Sequence, residues 1–304
     1  RWDSRGRLIA LENENGEAYQ FRWGPDSLLL EEVGLDGVAS QYRYDASGRT
    51  IARTFAAGHP EAITHAFAWS ASGQLVARTT PEGQTRYHYT PSGLLSRIGL
   101  HPALSADAWT TEAEQELAFE YDALGRVTRE AGEHGELAWE YDALGNRTSV
   151  TLPDGRELKQ FYYGSGHLLS IALDKLSVSD FTRDELHRET SRTQGLLTTR
   201  SEYDRLGRLH RRDVFTGNAQ RPSPRRWSRR WDYDYRNNLV REERDDNPFS
   251  WYRWQYDSAG RLLVQDGTLP GQEQWRWDAA GNPLEGSAEK VTHNRLTQLN
   301  GIRW

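Results

Sequence analysis

EYDALGRVTRE at residues 120–130 and EYDALGNRTSV at residues 140–150 are one pattern written twice. In each copy an aromatic residue precedes Asp, and Gly follows the aromatic by four positions: Tyr121, Asp122 and Gly125, then Tyr141, Asp142 and Gly145. An Asp here accepts hydrogen bonds from backbone N–H groups just ahead of it, an Asx-type turn. The Gly supplies the positive φ that reverses the chain. Outward from this pair the same spacing recurs at Trp2/Gly6, Tyr44/Gly48, Trp69/Gly73, Tyr89/Gly93, Tyr203/Gly207, Tyr256/Gly260 and Trp277/Gly281, with Asp3, Asp45, Asp204, Asp257 and Asp278 behind five of the aromatics. Arg usually follows the Gly, as at Arg7, Arg49, Arg126, Arg208 and Arg261, and Asn146 and Asn282 are the variant. Shortened copies are expected to start at Trp23, Tyr163, Phe181 and Tyr235, with Asn238 doing the work of Gly in the last.

Before each motif, apolar and polar residues alternate, as in Tyr19/Phe21/Trp23, Leu117/Phe119/Tyr121 and Tyr252/Trp254/Tyr256. A period of two predicts a strand with one packed and one wetter face. A second strand follows each motif, and turns at Asn15-Gly16, Asp36-Gly37, Glu82-Gly83, His134-Gly135 or Asp154-Gly155 return the chain to the next aromatic strand. One unit is therefore a hairpin. A lone hairpin is marginal in water, so neighbours must pair edge to edge into an all-β, spiralling sheet.

Composition agrees with that class. Hydrophobic residues make up 36% of the 304, yet 12 Trp, 14 Tyr and 8 Phe supply large amphipathic rings for the core. A net charge of −6 argues against a nucleic-acid partner, because phosphate binding needs a basic footprint. No run approaches the roughly 20 apolar residues of a membrane span, and no signal peptide is in view. The absence of Cys excludes disulfides and thiolate metal sites.

These motifs resemble the YD repeats of the Rhs family along essentially the whole chain. The closing VTHNRLTQLNGIRW at 291–304 looks like bacterial Rhs proteins rather than animal teneurins. The resemblance implies a hollow β-cocoon: the shell of an Rhs-type polymorphic toxin, akin to the encapsulating components of insecticidal toxin complexes. Such a shell encloses a C-terminal toxin domain until a secretion system, notably type VI, delivers it in interbacterial competition. It also implies manufacture in the bacterial cytoplasm followed by secretion, with the toxin domain and other shell segments of the same protein as partners. A secretion spike and chaperone would act through regions not present. We expect residues 1–304 to form one continuous repeat array, a fragment of a larger shell, with insert loops near 96–116 and 215–230. Family shells end in a self-cleaving segment containing Asp-Pro, and all 11 prolines here follow other residues, so no catalytic residue carries over.

The remaining candidates are weighed against plain structural roles. One Asp per turn is turn chemistry, since calcium loops need several carboxylates per turn. The nine His are scattered without zinc-helix spacing. RPSPRRWSRR at 221–230 could engage an acidic partner, although a solvated loop neutralised by REERDD at 241–246 is the ordinary alternative. The insert at 104–116 reads as a short helix capped by Ser105 or Asp107. The expectation is a non-enzymatic shell segment without cofactor or metal. A cell-surface adhesion or carbohydrate-binding module is the alternative, with Trp109 and Trp227 as its candidate exposed rings.

Overall fold

The computed structural model describes residues 1–105, 108–217, 225–245, 248–268, 271–284, 291, 293, 298–299 and 302–303. Every named element is a strand, and no α-helix occurs among the described residues. The chain forms two compact units, Arg1–Gly135 with Arg276–Trp304, and Glu136–Trp275.

In the first unit antiparallel strands follow in chain order, each hydrogen-bonded to the next, from Ala10–Glu12 and Ala18–Trp23 to Gln115–Tyr121 and Val127–Gly132. The second unit repeats the plan from Gly135–Tyr141 and Arg147–Thr151 to Leu262–Gly267 and Glu273–Gln274. The all-β hairpin architecture expected from the motif is thus present.

The expected alternation appears directly in exposure. Tyr19, Phe21 and Trp23 are half-buried while Gln20 and Arg22 are exposed, and Tyr42 and Tyr44 alternate likewise with Gln41 and Arg43. What the periodicity did not reveal is how little is fully buried. Ala10, Ala52, Val150 and Val214 are the buried hydrophobic residues among those described. The aromatic rings therefore line one face of their strands, half-buried rather than fully enclosed.

Both inserts depart from expectation. The 104–116 stretch is not a helix: Leu95–Ser105 runs on past the sheet and folds back onto Ala108–Trp109. The Thr110 N–H donates to the Pro102 carbonyl and that of Glu114 to Leu100. Extended pairing satisfies these backbone groups, whereas a helix so short is marginal in water. Ser105 ends a strand, and Asp107 lies outside the described residues. In the second insert Arg225–Arg230 is not loop but the start of the strand Arg225–Tyr233, paired with Leu209–Thr216. Arg221 and the rest of 218–224 lie outside the described residues.

Candidate functional site: the repeated turn

The turn at Tyr44 shows how the motif is built. The Asp45 N–H donates to the Arg49 carbonyl and the Gly48 N–H to the Asp45 carbonyl, each at 3.0 Å. Asp45 Oδ1 accepts from the N–H groups of Ser47 at 2.9 Å and Arg49 at 3.0 Å, and Oδ2 accepts from Arg49 Nε at 2.7 Å. Asp122, Asp204 and Asp257 hold Arg126, Arg208 and Arg261 in the same way. Where Asn replaces Arg, the Asn146 amide donates to Asp142 at 2.9 Å. The motif glycines, including Gly125, Gly145, Gly207, Gly260 and Gly281, all have positive φ, from 74° to 89°.

The turn also reaches its neighbours. Tyr44 Oη donates to the Leu29 carbonyl at 2.8 Å, and Leu29 is the residue directly opposite the preceding motif's Trp23. Tyr203 and Tyr256 donate to Glu189 and Leu239 in the same relation, and Trp23 and Trp69 use Nε1 on Leu8 and Thr50. A register shift at nearly every motif, between Arg43 and Tyr44 for example, is the β-bulge that sets up this contact. Arginine supplies the return link: Arg49 Nη1 donates to the Ser70 carbonyl and Arg208 Nη1 to that of Asp234, both in the following turn. Arg188 and Arg208 also lie 4.8 Å over the rings of Tyr203 and Tyr233.

This geometry corrects three of the shortened copies. The aromatic that donates backwards is Tyr162, to Arg147, and not Tyr163, and Gly166 follows Tyr162 by four residues. At the next copy the position belongs to Arg183 rather than Phe181. Its guanidinium reaches the Leu168 carbonyl at 3.4 Å, and His187 takes the positive φ. The third starts at Tyr233, which donates to Leu209, while Tyr235 is 83% exposed; Asn237, not Asn238, has positive φ. The deciding signal was present in the sequence as Asp234 and Asn237 after Tyr233, but aromaticity was the weaker guide.

Electrostatics follows from the hydrogen bonds. Asp45, Asp122 and Asp257 are held below the ordinary carboxylate range, first by the backbone N–H of the Arg four residues on and, against the opposing effect of burial, by its guanidinium. Asp278 is the special case, 2% exposed. Burial pushes its carboxyl up, and donations from the Val291 N–H and the Asn282 and Asn15 amides more than reverse it. The Asn15 contact, at 2.7 Å, brings the last motif to the first hairpin turn. These carboxylates are ionised and committed to their own turns, a poor starting point for proton transfer.

Other chemistry-bearing groups do come together. His167 and His187 stack with centroids 3.7 Å apart. Burial, then the neighbouring His187, lowers the His167 pKa. Under the first insert, His88 and His101 line a groove of about 500 Å3, where Arg97 pairs with Glu116 and His101 Nδ1 lies 3.0 Å from the Thr110 carbonyl. No group of three or more His, Asp or Glu suited to a metal ion occurs among the described residues. Part of the basic insert has carboxylate neighbours, as the adjoining composition suggested: Arg225 pairs with Asp245, and Arg230 lies 3.9 Å from Glu243. Trp227 is half-buried within the strand register rather than free for a ligand.

The chain resembles known proteins in sequence and in fold. The family described as RHS Repeat matches residues 121–157. Double-stranded DNA deaminase toxin A of Burkholderia cenocepacia is 33% identical over 318 residues, covering 100% of this chain and 22% of that protein. Toxin protein Tse5 of Pseudomonas aeruginosa is 32% identical over 254 residues, 81% of this chain and 17% of that protein. The chain thus spans about a fifth of either relative. Among solved structures, a chain of the TcdB2-TccC3-Cdc42 complex superposes with a TM-score of 0.74 at 14% identity over 90% of this chain and 16% of its own length. The Photorhabdus luminescens Tc holotoxin pore carrying TccC3-D651A gives 0.57 at 15% identity over 92% of this chain and 15% of its own.

Proposed function

The chain belongs to the Rhs/YD-repeat family, and from that premise we propose that it is a segment of wall: part of a container that encloses a toxin domain until delivery. The observation that carries this reading is the self-sufficiency of the repeated turn. In the motif at Tyr44, as in those at Tyr121, Tyr203 and Tyr256, the carboxylate, guanidinium and phenol are spent on their own turn or on the neighbouring repeat, which supports an extensible sheet rather than a catalytic site. The two relatives named as toxins, and the fold shared with TcdB2-TccC3, support the enclosed cargo. Delivery through a type VI secretion system during interbacterial competition belongs to the same proposal, as do secretion and the assembly with other shell segments.

Native and denaturing mass spectrometry of the full-length gene product tests the reading. A small polypeptide retained without a covalent link, together with further shell segments, is expected. A free array with nothing held would remove the container role. Exposed rings at Trp2 (67%) and Tyr235 (83%) favour a second reading, glycan binding on a surface adhesin. Saturable binding on a glycan array that is lost in Trp2→Ala and Tyr235→Ala would favour the adhesin instead.

A further inference from the structure

Most charges in the second unit cancel against a neighbour. Arg192 grips Glu189 through Nε at 3.0 Å and Nη2 at 2.8 Å, and Arg211 Nε lies 3.0 Å from Asp213. Two guanidinium groups that face each other depart from this pattern. Arg212 and Arg229 stand directly opposite each other in the paired strands Leu209–Thr216 and Arg225–Tyr233, so both rise from one face of the sheet. Arg229 is in turn opposite Arg244. The carboxylate beside them, Glu242, is 5% exposed and already held by Arg244 through Nε at 2.8 Å and Nη2 at 3.0 Å. Arg229 Nε reaches it only as a long ion pair at 3.9 Å, beyond hydrogen-bond reach. Arg212 makes no ion pair among the described residues, and the Nε atoms of both Arg212 and Arg229 are buried without a hydrogen-bond partner.

Like charges directly opposite on a sheet repel, and a buried donor without an acceptor is costly. An anion that reached the exposed part of the two guanidiniums would offset this repulsion. Trp227 and Trp231 share the face at alternate positions, and the Arg229 guanidinium lies 5.0 Å over the Trp227 ring, which holds it in place.

We propose that this face receives an acidic polypeptide segment, whose carboxylates complete the forks of Arg212 and Arg229. Forks on neighbouring strands lie about 5 Å apart, a spacing that two adjacent acidic side chains span. A nucleic acid needs a longer basic footprint, and here the carboxylate of Glu242, opposite Trp231, stands beside the arginines. The inference deepens the container reading by giving the enclosed chain an acidic contact.

The test is fluorescence polarisation of a labelled hexaglutamate peptide titrated with the whole chain at low salt. Binding is expected to weaken about tenfold or more in Arg212→Gln/Arg229→Gln, and to stay within about twofold in Arg253→Gln on the opposite face. Arg212→Lys/Arg229→Lys keeps the charge and loses the fork, so an intermediate loss is expected even if the glutamine variant fails to fold. Undiminished binding in either double variant overturns the proposal. So does tighter, arginine-dependent binding of an oligonucleotide of equal charge. The assay contains no cargo, so its failure would leave the container reading to stand or fall by mass spectrometry.

Discussion

Asp122 shows what one residue does in this fold. Its Oδ1 accepts from the N–H groups of Leu124 and Arg126, and its Oδ2 from the Arg126 side chain. Asp122→Asn keeps the first oxygen and Asp122→Ala removes both, so thermal midpoints are expected to fall in the order native, Asn, Ala. Gly125 has φ +76° and only an ordinary 3.7 Å contact for an added Cβ, so Gly125→Ala should cost about 1–2 kcal/mol through backbone strain alone, read as a shift in urea midpoint. The motif carboxylates titrate below their ordinary 3.8 when folded, so the folded chain binds fewer protons than the unfolded one. Their contribution is complete above that value and is lost as pH falls through the lower folded pKa. Melting midpoints should hold on acidification to about pH 4 and fall below it. At the other extreme, Tyr42 is pushed up to about 12, first by burial and then by its 2.5 Å donation to Glu32. Its stabilising share is present below the ordinary 10.0 and disappears as pH rises through about 12. Tyr42→Phe should remove a late phase of the ultraviolet phenolate titration.

At the level of the hairpin, the Asx turn and the positive-φ Gly were legible because both signals are local. The links between turns were not. Arg49 to the Ser70 carbonyl and Tyr44 to the Leu29 carbonyl join residues that become neighbours only once the strand register and its bulge are set. Arg183 illustrates the limit, since a guanidinium does the work of a phenol there and leaves no aromatic to find. The short helix expected near Ser105 failed because backbone pairing with a strand already present outweighs weak local helix preference. Close approach constrains other positions: a Cβ on Gly267 would sit 2.6 Å from the Trp251 carbonyl oxygen and 2.7 Å from a Tyr252 ring carbon. Gly267→Ala should part the strands Ser250–Tyr256 and Leu262–Gly267 locally, seen as faster amide exchange there with protection retained in Leu197–Tyr203.

Within each unit, nearly every strand pairing among the described residues joins sequence neighbours, a plan that lengthens by adding hairpins. Most aromatic rings of the strands are half-buried, and fully buried apolar residues are few among those described. In the proposed container, motif chemistry of this kind serves cohesion and leaves the faces of the sheet for whatever it separates. Electron cryomicroscopy of the full-length gene product tests this most directly. Residues 1–304 are expected to lie in a continuous curved wall around internal density belonging to another part of the protein. A map in which this array stands free, with solvent on both faces and no enclosed density, would contradict it.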